Sequence, residues 1–198
     1  MLRYTHMTER PESKQPMPAD AKRVFQGDIF DVYQWEQVLY DGTSKIFEKL
    51  KRPDTVAIVP VLPEKKILLV EDEQPLRAPI LTFPAGRVEL GEDPLDAAKR
   101  ELLEETGYEA AEWELWKAFQ PVTKLDWAIF VFIARGCVKT KEADPGPGEK
   151  ITVYGVSFDE LMDLAKDPRF AGEDTKLELM EARYSLDARA ALEKKFFG

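Results

Sequence analysis

The sequence GRVELGEDPLDAAKRELLEETGY, residues 86–108, is the most informative part of this chain. Its middle carries the start and stop signals of a helix. Asp93 suits the N-cap, Pro94 suits the first helical position, and Gly107 suits the position just after the last turn. We therefore predict a helix between Pro94 and Gly107, with the remaining chain arranged around it.

The acidic residues of this predicted helix lie where they destabilise it. Glu101 and Glu105 are four residues apart, with Glu104 beside them, and a like-charged pair at this spacing costs about 0.2–0.5 kcal/mol. Carboxylates in the last turn also meet the negative end of the helix dipole, at a cost of about 0.3–1 kcal/mol. Arg100 offsets part of this cost by pairing with Glu104. The cluster makes physical sense if a divalent cation such as Mg²⁺ or Mn²⁺ binds among these oxygen ligands.

The same stretch resembles the Nudix box. The matching positions are Gly86, Glu92, Arg100, Glu101, Leu102, Glu104, Glu105 and Gly107. Tyr108 departs mildly, because an aliphatic residue is usual there. The resemblance implies an enzyme that hydrolyses a nucleoside diphosphate linked to another group and uses Mg²⁺ or Mn²⁺ held by the box. It also implies an α/β (α+β) fold, an α/β/α sandwich with a mixed sheet and an N-terminal antiparallel β-element.

Within the box we expect Glu101 and Glu105 to bind the metal directly. Glu104 is expected to share a metal or to act through water, and the resemblance adds the Ala85 carbonyl as a further ligand. Arg100 is expected to orient the glutamates rather than contact the substrate.

Three residues of the box are candidates for structural roles. Glu92 has two open roles, as a metal ligand or as a structural partner of Arg100, and we favour the second. Gly86 and Gly107 are expected to be structural.

A general base must come from outside the box, and the resemblance places it on a late loop. Glu149 follows Pro147-Gly148 and precedes a predicted strand at residue 151, so it is our first candidate. Glu142 in the same loop is the second. For both acids the alternative is an ordinary solvated charge on a loop.

Composition excludes several classes of function. The 198 residues are 44% hydrophobic and 33% charged, with a net charge of −9. This charge argues against nucleic acid or an anionic membrane as the main partner. We expect neither a membrane span nor a secretory signal, because no apolar run has the required length.

The single cysteine and single histidine give no nucleophile–base pair. Cys137 cannot form an internal disulfide, which fits a cytoplasmic protein, and we interpret it as a small residue at a strand end. His6 lies in a polar leader that contains prolines. Catalysis by a Ser–His or Cys–His pair is therefore not expected.

The chain is expected to have three parts. Residues 1–22 are predicted to be a flexible arm, residues 23–52 an N-terminal β-element, and residues 53–198 the hydrolase domain. In the β-element, Asp41-Gly42 is a strong hairpin signal. In the hydrolase domain, Ser157 and Glu160 form a capping-box signal for a short helix, and residues 174–197 have the spacing of one C-terminal helix.

The chain resembles the ADP-ribose and nucleotide-sugar pyrophosphatase branch of the family. The supporting features are the N-terminal β-region, the sequence Pro84-Ala85-Gly86 and the downstream Pro121. The branch implies a homodimer through the N-terminal element and ADP-ribose as substrate. Thr82 stands where the branch usually has Glu, and the loop 122–126 departs as well. A GDP-mannose or other nucleotide-sugar pyrophosphatase is therefore the alternative, followed by a nucleoside triphosphate hydrolase or a non-catalytic ligand sensor.

Several residues outside the box are candidates for substrate binding. Arg77 suits a phosphate, although a surface role is equally consistent, and Lys124 is a second cation of this kind. Trp35 and Tyr33 suit stacking on a base, with core or interface packing as the alternative that we favour. Thr82 is expected near the sugar or the pyrophosphate.

Overall fold

The computed structural model describes residues 9–198, apart from the side chains of residues 173 and 174, so His6 lies outside it. The strands are β1 Lys22–Gln26, β2 Asp31–Val38, β3 Ser44–Lys51, β4 Thr55–Val61, β5 Ile67–Glu73, β6 Ile80–Thr82, β7 Ala85–Arg87, β8 Tyr108–Glu109, β9 Glu112–Phe119, β10 Leu125–Asp126, β11 Ile129–Arg135, β12 Val138–Lys139 and β13 Lys150–Val156. The helices are α1 Pro94–Thr106, α2 Phe158–Leu164, α3 Glu173–Tyr184 and α4 Leu186–Phe197. No helix of the described chain is long and apolar enough to cross a membrane.

Helix α1 has the boundaries expected from its sequence. The Asp93 side chain accepts a hydrogen bond from the backbone N–H of Leu95 at 2.8 Å, and Pro94 begins the helix. Gly107 ends it in the left-handed conformation, with φ of 76°. A side chain at Gly107 would also overlap the carbonyl oxygen of Lys141. Both ends of α1 are therefore fixed by local chemistry.

The core has two apolar layers, one on each face of a mixed sheet with strand order β13-β5-β4-β11-β9. Strands β4 and β11 run parallel in the centre, and the other neighbours on this path are antiparallel. Along β4, Val56 and Ile58 pack with Leu102 of α1, whereas Ala57 and Val59 face the cluster that contains residues of α2, α3 and α4. This alternation is the one expected for a strand buried on both faces. The α/β/α sandwich confirms the fold class predicted from the sequence.

The N-terminal β-element forms a second sheet with strand order β1-β2-β3-β10. Strands β2 and β3 are a hairpin whose turn contains Gly42 at φ of 82°, as the Asp41-Gly42 signal predicts. The fourth strand, β10, comes from far along the chain and pairs parallel to β3. Residues beyond the expected boundary at residue 53 thus complete this sheet, and the boundary itself stays a prediction.

One expectation about the C-terminus is wrong. The predicted single helix over residues 174–197 is two helices, α3 and α4, separated at Ser185. Ser185 has extended backbone, and its hydroxyl accepts from the N–H of Ala188 at 3.2 Å, so it is the N-cap of α4. Ser185 caps a new helix and thereby ends the preceding one. The spacing of the apolar residues alone does not reveal this break.

The described part of the N-terminal arm has no helix or strand before Lys22, yet it contacts the rest of the protein. Arg10 forms ion pairs with Asp54 and Asp126. The fully buried ammonium of Lys49 donates to Ser13 Oγ and to the Gln15 carbonyl, both at 2.6 Å. The arm therefore supplies acceptors for a buried charge of the N-terminal sheet.

Candidate active site

One cleft of about 1230 Å³ brings together α1, the strand β7 that leads into it, and the loop before β13. Its acidic lining consists of Glu89, Glu101, Glu104, Glu105 and Glu149. Its cationic lining consists of Arg52, Arg77, Arg87 and Arg100. The four box and loop glutamates proposed for chemistry thus share one cavity, together with two of the arginines predicted to serve the site.

Arg100 is the centre of the contacts among the box carboxylates. Its Nε and Nη2 atoms donate to the two oxygens of Glu92 at 2.9 and 3.0 Å. Its Nη1 atom donates to Glu101 at 2.7 Å and to Glu104 at 3.2 Å. The hydrogen bond from Arg100 holds the pKa of Glu92 below its usual range. Both carboxylate oxygens of Glu92 are thus occupied by Arg100, and Arg100 also restrains Glu101 and Glu104 in the cleft.

Glu105 is the most deeply buried acid of the site. It is 8% exposed, and its Oε2 atom accepts a hydrogen bond from the Ala85 N–H at 3.2 Å. Burial, followed by the charge of Glu101, raises the pKa of Glu105 to about 9. Burial also raises the pKa of Glu101, although Arg100 opposes this effect. Charged carboxylates in such a site need a compensating cation.

The donor set fits a hard divalent cation by its chemistry. Glu101, Glu104 and Glu105 provide carboxylate oxygens on one face of α1, and a buried carboxylate with a raised pKa is a group that a cation would stabilise. Within the described chain, no three acidic, histidine or cysteine side chains converge as a ligand group in this conformation. The reason is visible in the contacts, since Arg100 holds Glu101 and Glu104, and Glu105 faces the Ala85 N–H.

Glu149 reaches the cleft from the loop before β13. Its carboxylate accepts a hydrogen bond from Gln74 at 3.3 Å, and its charge raises the pKa of both Glu101 and Glu105. The second base candidate, Glu142, is paired with Lys139 at 2.8 Å and is 90% exposed at its side chain. It is not part of the cleft lining. Of the two candidates for the general base, only Glu149 therefore lines the cleft.

The substrate-binding candidates are distributed over different places. Arg77 lines the cleft, where it donates to the side chain of Asp72. Tyr33 lines an adjoining recess of about 740 Å³ between the N-terminal sheet and the loop after β7. Trp35 is buried against Phe47 in the N-terminal sheet.

The remaining two candidates lie outside the cleft lining. Lys124 lies over the ring of Phe47, 4.9 Å from its centroid. Thr82 is half-buried in β6 opposite Val70. Their predicted contacts with substrate stay predictions.

Arg52 and Phe30 are among the cleft residues that the sequence did not predict. The Arg52 guanidinium lies 4.7 Å from the ring centroid of Trp127 and 5.8 Å from that of Phe30. Its buried Nε atom has no hydrogen-bond partner in the described chain, and burial, followed by the charge of Arg87, lowers its pKa. The only sequence signal was the position of Arg52 at the end of a β-like stretch, which is too weak to identify a site.

Cys137 is buried and its pKa is raised by burial to about 12, so its thiol stays protonated at neutral pH. Its position just after β11 agrees with the interpretation as a small residue at a strand end, although it is fully buried and not half-buried as expected.

The family model described as "NUDIX domain" matches residues 51–177, and the chain therefore belongs to the Nudix family. With its box glutamates assembled in one cleft, it is a Nudix hydrolase.

Two relatives match over most of their length. The chain is 33% identical over 172 residues to the ADP-ribose pyrophosphatase of Bacillus subtilis (strain 168), covering 86% of this chain and 85% of that protein. It is 32% identical over 170 residues to the methanol dehydrogenase activator of Bacillus methanolicus, covering 81% of this chain and 91% of that protein. A crystal structure described as an ADP compounds hydrolase has the same fold, with a TM-score of 0.69 at 22% identity over 90% of this chain and 98% of that one.

Proposed function

We propose that this protein hydrolyses the pyrophosphate bond of a nucleoside diphosphate sugar, with ADP-ribose as the first candidate, and releases a nucleoside monophosphate and a sugar phosphate. The observation that carries the proposal is that one cleft is lined both by the box carboxylates, of which Glu105 is buried, and by two arginines that form no ion pair within the described chain, Arg52 and Arg87. The relative named as an ADP-ribose pyrophosphatase supports the choice of ADP-ribose.

The cationic part of the cleft suits the two phosphates of such a substrate. Arg52 lines the cleft and its guanidinium forms no ion pair within the described chain, so a phosphate in the cleft would supply the missing anionic partner. The Arg52 fork also stacks on Trp127, whose indole N–H is fixed by Thr55 at 2.9 Å. Phe30, 40% exposed at the same cleft, presents an apolar ring on which a nucleobase can stack.

The acidic part of the cleft suits the metal that Nudix hydrolases generally need. Glu101, Glu105 and Glu104, with the Ala85 carbonyl, would hold Mg²⁺, or Mn²⁺ in its place. The ion would neutralise charge on the phosphates and lower the pKa of a bound water. Arg100 keeps Glu101 and Glu104 in position through its hydrogen bonds.

Glu149 is the proposed general base. It accepts a proton from a water molecule as the water oxygen bonds to one phosphorus of the pyrophosphate. The bond from that phosphorus to the bridging oxygen breaks, and the other phosphate leaves with the bridging oxygen. Its position in the cleft lining, which Glu142 does not share, supports this assignment.

The N-terminal sheet supports a homodimer as the working form. One of its faces carries Phe25, Val38, Ile46 and Leu50, which are 58%, 63%, 65% and 40% exposed. Strand register puts these residues on the same face, since Phe25 and Leu50 both pair with Val32. The same face also carries Gln34, Glu36 and Glu48, and a second copy of this chain would bury the exposed apolar side chains among them. A cytoplasmic location remains part of the proposal, supported by the single buried thiol.

The test is a product assay with Mg²⁺. ADP-ribose should give AMP and ribose phosphate, GDP-mannose hydrolysis would instead release GMP, and a triphosphatase would release pyrophosphate from a nucleoside triphosphate. Tight binding of these ligands without turnover of any would favour a ligand sensor over the proposed enzyme.

A further inference from the structure

Gln74 faces Glu149 at the end of the β5–β13 ladder. The last registered pair of these antiparallel strands is Glu73 with Lys150, so the next two positions, Gln74 and Glu149, lie opposite each other just beyond it. The Gln74 Nε2 atom donates to Glu149 Oε1 at 3.3 Å. Strand register thus places an amide donor beside the proposed base.

Asp72 fixes which end of the Gln74 amide faces Glu149. The same Nε2 atom donates to Asp72 Oδ2 at 3.2 Å, and the Asp72 side chain is 15% exposed. Because ionised carboxylates only accept hydrogen bonds, the amide oxygen would be repelled by both acids if the side chain were flipped. Asp72 therefore keeps Gln74 oriented as a donor toward Glu149.

This contact opposes a repulsion within the cleft. Glu149 shares the cavity with Glu101 and Glu105, and its loop contains two glycines, Gly146 and Gly148, that leave the backbone free to move away. Repulsion from the charges of Glu101 and Glu105 favours a position of Glu149 outside the cleft. The hydrogen bond from Gln74, at 3.3 Å, opposes this repulsion and holds the Glu149 carboxylate at the cleft.

The turn that carries Gln74 also carries Arg77. The Gln74 carbonyl accepts from the Arg77 N–H at 3.2 Å, and between them Leu76 has φ of 63°, which an L-residue adopts only at a cost. Arg77 in turn donates to the side chain of Asp72. Asp72 thus holds both ends of a strained turn at the cleft.

We propose that Gln74 is a positioning residue that holds the Glu149 carboxylate at the cleft and links it, through Asp72, to the turn that carries Arg77. The inference rests on the proposed function, because it assigns to Gln74 a role that acts through the base.

The test compares the Gln74→Leu variant with the parent protein, using ADP-ribose and Mg²⁺. We expect kcat to fall about three- to tenfold, the range for loss of one ordinary hydrogen bond, because the 3.3 Å contact is long for a charged acceptor, with KM changed less than about twofold. In a Glu149→Gln background the same change should have no further effect on kcat, because the two residues act in one step. Gln74→Glu should lower kcat further than Gln74→Leu, since it sets a third charge beside Asp72 and Glu149.

Lys150→Ala is the matched control. Lys150 joins the same two strands through Glu73 at 2.9 Å but lies outside the cleft lining, so its loss should leave kcat unchanged. The melting temperature of each variant separates a folding defect from a catalytic one.

The outcomes distinguish the inference from the function on which it rests. An unchanged kcat for Gln74→Leu, or an equal loss in the Glu149→Gln background, overturns the role of Gln74 alone. Near-normal turnover by Glu149→Gln removes Glu149 as the base and the inference with it. Absence of hydrolysis by the parent protein contradicts the proposed function itself.

Discussion

Gly86 of β7 lies directly against the carboxylate of Glu101 on α1. A methyl group added to Gly86 would overlap the carboxylate carbon and both oxygens of Glu101. The glycine is required here by close approach and not by backbone conformation, because its φ is not in the left-handed region. A side chain at this position is therefore compatible with the structure only if the Glu101 carboxylate moves.

Gly86→Ala should lower turnover with little effect on stability. The added methyl group displaces the Glu101 carboxylate, the end of a flexible side chain, from the position in which Arg100 holds it. We expect turnover to fall about tenfold or more, measured with ADP-ribose and Mg²⁺ alongside urea denaturation. Gly155→Ala is the control, because a Cβ there meets only Lys66 and Leu68 at ordinary distances of 3.6 and 4.0 Å. Equal behaviour of the two variants would contradict the packing argument.

Glu105→Gln should abolish most turnover while leaving the protein as stable as before, or more so. The substitution removes a proposed metal ligand, so we expect a loss of about 100-fold or more. It also replaces a buried ionisable group by a neutral one of similar shape, which removes the cost of protonating that carboxylate when the metal-free chain folds at neutral pH. Chemical denaturation without metal checks the second part. A marked loss of stability would show that the carboxyl group contributes to the fold.

The metal-free protein should lose stability as pH rises through neutrality. Folded Glu105 keeps its proton up to a pKa of about 9, whereas the unfolded chain releases it near the ordinary value of 4.5. Between these values the folded state binds the extra proton, so the free energy of unfolding falls as pH rises, by at most about 1.4 kcal/mol per pH unit for this group. The slope should be smaller in Glu105→Gln. Urea denaturation in a chelator at several pH values measures it, and equal slopes in both proteins would refute the burial argument.

Arg52→Ala should weaken substrate binding. A desolvated guanidinium that bonds a phosphate contributes about 1.5–3 kcal/mol, so KM should rise about tenfold or more. Arg23→Ala is a suitable control, because Arg23 is ion-paired with Asp31 and lies outside the cleft lining. Steady-state kinetics give KM for both variants. An unchanged KM for Arg52→Ala would exclude Arg52 from phosphate binding.

Ile46→Glu should convert the proposed dimer into monomers. The substitution places a charge on the exposed apolar face of the N-terminal sheet, where a partner would have to desolvate it. Leu177→Glu on α3 is the control, since Leu177 is 76% exposed and lies away from that sheet. Sedimentation velocity distinguishes the two states. A parent protein that sediments as a monomer would contradict the proposed interface.

Local signals in the sequence were sufficient for α1 and for much of the sheet. Asp93 and Gly107 define the ends of α1 through contacts with their own neighbours, and the capping box at Ser157 acts in the same way. Such signals depend on few residues close in sequence, which is why they can be recognised without the fold. The break at Ser185 had a signal of the same kind, but the continuous apolar spacing on both sides concealed it.

The parts of the site that sequence did not predict depend on long-range register. Arg52 matters because Trp127, far along the chain, provides the ring on which it stacks. Gln74 matters because β5 and β13 pair in one particular register. Trp35, conspicuous in the sequence, is buried against Phe47 and not in the cleft lining. Residue type alone does not show on which face of which strand a side chain lies.

Strand β10 also sets an order for folding during synthesis. Leu125 completes the N-terminal sheet by pairing with Leu50, so β1, β2 and β3 leave the ribosome long before their fourth strand exists. Until the chain has extended past α1, Leu50 and Lys51 at the end of β3 lack their partner strand while apolar side chains of the sheet are exposed, a combination that favours aggregation. A fragment that ends before residue 125 should therefore aggregate more readily than the full chain.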